Sequence, residues 1–223
     1  MPLNKLLGKR MKPLGYLYKT VAQKPDWIKT KSVYDIYSLS ACVSKDFAEY
    51  INYWKHNGYW LFNSPNIIEE IAKNESIDLS RCMLFYYEGY ELEYNEDLKE
   101  WLQYESEPSF ITAVELPHEM NLQGFDITSF SVHTSPECSP LSCNSLAEEI
   151  NVNQHCLLPS FEEAKSLLES GKFENSEPGP YRVIAVYTVG ESKIREGVIP
   201  TDNEFLSSDH VTKLNPSWRK SRC

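Results

Sequence analysis

Three thiols and two imidazoles fall within 24 residues of this chain: His133, Cys138, Cys143, His155 and Cys156. The loop His133-Thr134-Ser135-Pro136-Glu137-Cys138-Ser139-Pro140-Leu141-Ser142-Cys143-Asn144 carries most of them. Two chemistries need such residues. A structural zinc site takes four Cys or His ligands in a tetrahedron, often with C-x2–4-C spacing. Cys138 and Cys143 have C-x4-C spacing, and Cys156 with His155 or His133 would complete four ligands. Adjacent His155 and Cys156 are an awkward pair for one metal, and no second tight pair exists. Thiol chemistry is the other possibility. A cysteine near a helix N-terminus has its thiolate stabilised by unpaired N–H groups. Cys143 lies just ahead of Ser145, which can cap a helix. His155 or His133 would serve as base, with Glu137 orienting it; Cys138 and Cys143 could instead form a redox pair. Beside these stands a structural reading. Cysteine is a small buried hydrophobe, Pro136 and Pro140 stiffen a turn, and the serines bond local backbone.

Glu88 is the second candidate. Leu84, Tyr86, Tyr90, Leu92 and Tyr94 share its face at period two in a strand over 82–94. A carboxyl buried among rings and unpaired would hold its proton to higher pH, one route to a general acid. Gly89 could mark a bulge that re-aims the face. The neighbouring acids Glu91, Glu93, Glu96, Asp97 and Glu100 read as a solvated face. No G-x-G-x-x-G, Walker loop, H-E-x-x-H or G-x-S-x-G occurs in the chain.

The elements that must position these residues follow from periodicity and caps. Val33–Val43 alternates as a strand. Ser44 precedes Phe47, Tyr50, Ile51 and Trp54, the stripe of an amphipathic helix. Tyr59–Phe62 reads as a short buried strand, and Ser64-Pro65 starts a helix faced by Ile67, Ile68 and Ile71. Asn95, with Glu96 and Asp97 behind it, predicts a helix that packs Leu98, Trp101 and Leu102 inward. Ser109–Leu116 and Phe125–His133 read as a strand pair. Ser145/Glu148 and Ser160/Glu163 have capping-box spacing and predict helices near 146–152 and 161–170. Tyr181–Val189 is apolar on both faces, the mark of a central strand.

This order is not a regular βαβ alternation. The expected fold is α+β: a single domain with a mixed, largely antiparallel sheet and about five short helices. The expected organisation is a basic N-terminal arm over 1–12, a domain over 13–190 and a polar tail over 191–223. The chain has 223 residues, enough to bury a core without staples.

Charge is uneven along the chain. Residues 1–32 carry eight basic groups and one acid, a net +7. Residues 33–190 carry 8 basic and 26 acidic groups, a net −18, and residues 191–223 carry 6 and 5, a net +1. The acidic body repels phosphate backbones, so no nucleic acid binds through it. It attracts a basic protein instead, or the chain's own basic arm. No apolar run approaches the ~18–20 residues of a membrane span, and no secretory signal opens the chain. Six scattered cysteines suit a reducing cytoplasm. These features favour an acidic protein-binding domain of the inhibitor or immunity type. The alternative is a small thiol- or zinc-dependent enzyme or metalloprotein built on the 133–156 loop.

Overall fold

The computed structural model describes residues 11–40, 57, 59–104, 113–130, 138–176 and 178–190. The anticipated helix after Ser44, the start of the 109–116 strand, His133, Glu137 and the tail over 191–223 lie outside these residues.

A largely antiparallel sheet is organised around its last strand, Tyr181–Val189, here β8. One edge of β8 pairs with β7 (Met120–Ser129), from Met120↔Val189 to Ser129↔Tyr181. The other edge pairs with β4 (Met83–Tyr90), from Phe85↔Thr188 to Gly89↔Ile184. It then meets β5 (Leu92–Asn95) at Tyr94↔Tyr181. The strand expected over 82–94 is thus two strands broken at Glu91. Its outer edge is covered at one end by β1 (Met11–Lys19) and at the other by β6 (Glu100–Gln103). A small ribbon pairs β2 (Ala22–Gln23) with β3 (Asp35–Ile36).

β8 is buried along almost its whole length, because helices and loops cover both faces. On one face, Phe161 of helix α3 (Phe161–Glu169) packs its ring against Tyr90 at 4.6 Å and Phe125 at 6.4 Å. Ala164 and Leu168 follow one turn apart on the same buried stripe. A second core gathers Leu14, Phe85, Tyr87, Ile184 and Val186 with Ile68 and Ile71 of helix α1 (Pro65–Glu75).

The described residues contain three α-helices, α1, α2 (Pro140–Cys143) and α3, where about five were expected. The reasons are local. Asn95 does not cap a helix: its Oδ1 accepts from Leu98 N at 2.9 Å, and Lys99 takes a left-handed φ of 54°. An acceptor that can cap a helix can also close a turn, and here it closes the β5–β6 hairpin. Trp101 then packs on Tyr94 from the neighbouring strand. Ser145 is left-handed at φ 61° and makes no side-chain cap, so only a 3-10 turn, Leu146–Glu148, follows it. Ser160 does cap α3, its Oγ accepting from Glu163 N at 3.1 Å. Of the strand read over Val33–Val43, residues 41–43 lie outside the described residues, and among the rest only Asp35–Ile36 forms a strand. Tyr59–Phe62 makes a single bridge, Phe62 to Tyr16. Described residues 113–116 form no strand. β1 takes in Met11 and Lys12, the last two residues of the arm expected over 1–12. Among the described residues no helix is long and apolar enough to cross a membrane.

Candidate functional site

Two of the thiols, Cys143 and Cys156, lie near a buried carboxylate, Asp126. Asp126 sits in the middle of β7 with no solvent exposure. Its Oδ1 accepts from Ser139 Oγ at 2.6 Å and Ile127 N at 2.9 Å. Its Oδ2 accepts from Ser38 Oγ at 2.6 Å and Thr128 Oγ1 at 3.3 Å. Burial raises its pKa, and the hydroxyl donors only partly offset that. Tyr87 shares this interior. Its buried hydroxyl has no hydrogen-bond partner, and burial, then Asp126, push its pKa well up.

Cys138 is buried, and its carbonyl accepts from Ser129 N at 2.8 Å. Cys143 is the last residue of α2, half-buried, with Sγ 3.4 Å from Ser40 Oγ. It therefore sits at the carbonyl end of a short helix rather than at the N–H groups anticipated ahead of Ser145. Cys156 is buried, and desolvation raises its thiol pKa far above the ordinary range, with Asp126 and Cys143 adding to the effect. These three cysteines form no disulfide with one another. His155 points elsewhere. Its Nδ1 lies 2.5 Å from Asp35 Oδ1, and its ring stacks on Tyr37 at 3.9 Å. With Nδ1–H donating to the carboxylate, Nε2 accepts from the Gln154 amide 3.0 Å away. The base position is occupied by a neighbour, and no nucleophile sits there among the described residues. Nor do any three or more His, Cys, Asp or Glu side chains among them form a group that could hold a metal ion. The geometry thus brings Cys143, Cys156 and Asp126 into one neighbourhood and leaves His155 bonded to Asp35.

Glu88 has a different environment from a buried, unpaired acid. It is half-buried, and both its oxygens accept from phenols: Tyr187 OH at 2.9 Å and Tyr86 OH at 3.3 Å. Burial and Glu88 raise the pKa of both tyrosines, so their hydroxyls stay donors.

The most exposed apolar surface near Glu88 lies at the end of the sheet that α3 does not reach. Leu122 stands opposite Tyr187 and Met120 opposite Val189, so these four share a face. A bulge between Leu122 and Gly124 resets the alternation and puts Phe125 on that same face, under α3. Leu122 is 49% exposed, Met120 42% and Leu116 68%. Gly124, at φ 149°, lets the bulge approach Leu157 and Leu158, where a Cβ would come within 2.8 Å. Beside the strand lies an open groove of about 430 Å3, lined by Tyr16, Pro65, Leu116, His118 and Val189 among others. The 115–119 segment is pinned to the body by Tyr16 OH donating to Glu115 O at 2.7 Å and Glu115 N donating to Asn63 O at 2.9 Å. Glu115 and Glu119 flank the groove, both exposed. Neither they nor Glu88 have a Lys or Arg of the described residues within 4.0 Å. Over Met120–Leu122 the outer edge of β7 makes no backbone hydrogen bond to a described residue. Farther along, that edge is closed by Leu158 and Cys138.

The sequence reading did not single out Asp126 or this open strand edge. A lone acid between Phe125 and Ile127 was the available signal for the first. Leu116, Met120 and Leu122 at even spacing were the signal for the second, set among the acids of 115–119. Compared with protein-family models, curated proteins and solved structures, the chain matches none.

Proposed function

We propose that this chain is a non-enzymatic interaction protein that binds a basic partner at the open end of its sheet. One observation carries the reading: Leu116, Met120 and Leu122 are exposed beside a strand edge that no described residue pairs, flanked by carboxylates with no Lys or Arg of the described residues in ion-pair distance. Exposed apolar side chains that cluster, rather than scatter singly, mark interaction surfaces. An open edge offers main-chain hydrogen bonds to an extended segment, while pockets beside it sort alternate side chains. Glu88, Glu115 and Glu119 select Lys and Arg, and the net −18 of residues 33–190 speeds the encounter. The occupied Nε2 of His155 and the buried thiol of Cys156 give thiol catalysis no comparable support.

A fluorescently labelled peptide alternating Lys with Leu or Val is the test. Binding is expected, with affinity falling as salt screens the carboxylates. The exposed double substitution Met120→Asp, Leu122→Asp should weaken it by about tenfold or more, equivalent to about 1.4 kcal/mol. Equal binding by the native and doubly substituted proteins would overturn the reading.

A further inference from the structure

Arg182 is the most unusual buried group in the described structure. It lies in β8, opposite Thr128, and is 1% exposed. Its Nη2 donates to Tyr90 O at 2.9 Å. Nε and Nη1 have no hydrogen-bond partner. No carboxylate of the described residues lies within ion-pair distance of it. Three rings surround the guanidinium instead, with Cζ 4.1 Å from the Tyr104 centroid, 5.4 Å from Phe130 and 5.6 Å from Tyr59. Gly89 makes room for it, since a Cβ there would come within 2.9 Å of Nη2.

Ring faces attract a cation but cannot neutralise it or accept its in-plane N–H groups in ordinary hydrogen bonds. A guanidinium removed from water with two donor nitrogens unmet and no described carboxylate in ion-pair contact is among the costliest arrangements a core can hold. Desolvation lowers its pKa; Tyr59, through its proximity and a side-chain hydrogen-bonding contact, Tyr104 and the half-buried Glu93 favour the charged form, yet Nε and Nη1 have no partner in hydrogen-bond geometry. Native cores rarely leave such groups orphaned without a ligand or a task.

We infer that Arg182, boxed by Tyr59, Tyr104 and Phe130, is a binding site for an oxyanion, the carboxylate or phosphate group of a small ligand. Its unbonded donors and full charge meet the anion, and the rings exclude water, which strengthens the pairing. Half-buried Tyr104 is the wall nearest solvent. This site lies in the core of the sheet rather than at the exposed Leu116–Leu122 surface, and the two readings stand or fall separately.

The test uses the unmodified full chain labelled with 15N, titrated with inorganic phosphate and, separately, with acetate, at constant ionic strength held with chloride. The expected result is a saturable shift of the Arg182 Nε–Hε resonance with at least one anion, together with a rise in melting temperature. Response to acetate alone would mark a carboxylate ligand, and response to phosphate alone a phosphate ligand. Arg182→Met should abolish the melting-temperature rise. Should that variant fail to fold, Tyr104→Leu, which removes one wall and keeps the charge, should weaken binding at least fivefold. No saturable shift with either anion, or saturable binding that leaves the Arg182 resonance unmoved, overturns the inference.

Discussion

Among the described candidate residues of the 133–156 loop, His155 and Cys143 meet partners from distant parts of the chain, and those partners decide their chemistry. Cys138 is buried, Cys156 is packed in the apolar core, and Cys143 ends a short helix against Ser40. Thiol reactivity follows thiolate fraction and access, so these positions should separate sharply. With iodoacetamide at pH 8 and peptide mapping by mass, Cys143 is expected to label readily. Cys138 and Cys156 should label at least about a hundredfold more slowly, their rates set by local opening. Labelling of Cys156 at the rate of Cys143 would mean that its thiol is far more accessible than its packing allows. The spacing in the sequence could show that thiols gather near residue 140. It could not show that Asp126, an acid from β7, would lie beside Cys143 and Cys156, because that depends on long-range pairing. Glu88 has a similar lesson: its aromatic neighbours were readable at period two, whereas their hydroxyls bonding back to the carboxylate required the pairing of β4 with β8.

At the scale of elements, caps and periods were legible where one local signal had one meaning. Ser160 with Glu163 gave α3, and the double-sided apolar run gave β8. Removing the Ser160 hydroxyl in Ser160→Ala should cost about 1 kcal/mol of stability, read as a lower urea midpoint at unchanged slope. An unchanged midpoint would show that the hydrogen bond to Glu163 N contributes nothing net. Signals with two meanings failed. Asn95 followed by acids suits a helix start and a tight turn equally, and cross-strand packing of Trp101 on Tyr94 decided for the turn. β1 was hidden by composition: Lys12, Pro13, Gly15 and Lys19 interrupt its apolar residues, and its bulge between Pro13 and Gly15 breaks the alternation. Gly15, at φ 136°, approaches Phe62 O too closely for any Cβ.

For the whole molecule, burial sets the direction in which stability moves with pH. Asp126, Glu93 and Glu96 all have raised pKa values in the fold, each chiefly through desolvation. A carboxyl raised above its unfolded value contributes stability that is complete below about 3.9–4.3, the unfolded carboxyl range, and is lost as pH climbs through the folded value. Self-repulsion in a chain of net charge −10 adds in the same direction. The urea midpoint is therefore expected to fall between pH 4 and pH 7. Asp126→Asn removes one ionisation, so its midpoint should fall less steeply over that range, by up to about 1.4 kcal/mol per pH unit in the steepest part. Parallel profiles for the two proteins would mean that Asp126 is already ionised throughout.

The place of β8 in the chain has a consequence for how the protein is made. It joins β7 on one side and β4 and β5 on the other, yet it is the last described strand to leave the ribosome. Until Tyr181–Val189 emerges, β4 and β7 have no common neighbour, and each offers an unpaired border to any other nascent chain. A product terminated before Tyr181 would keep α3 and the β1–β4 and β5–β6 pairs but lack the strand that unites them. Such fragments are candidates for chaperones and proteases rather than for folding, and a late stop codon would be as damaging here as an early one.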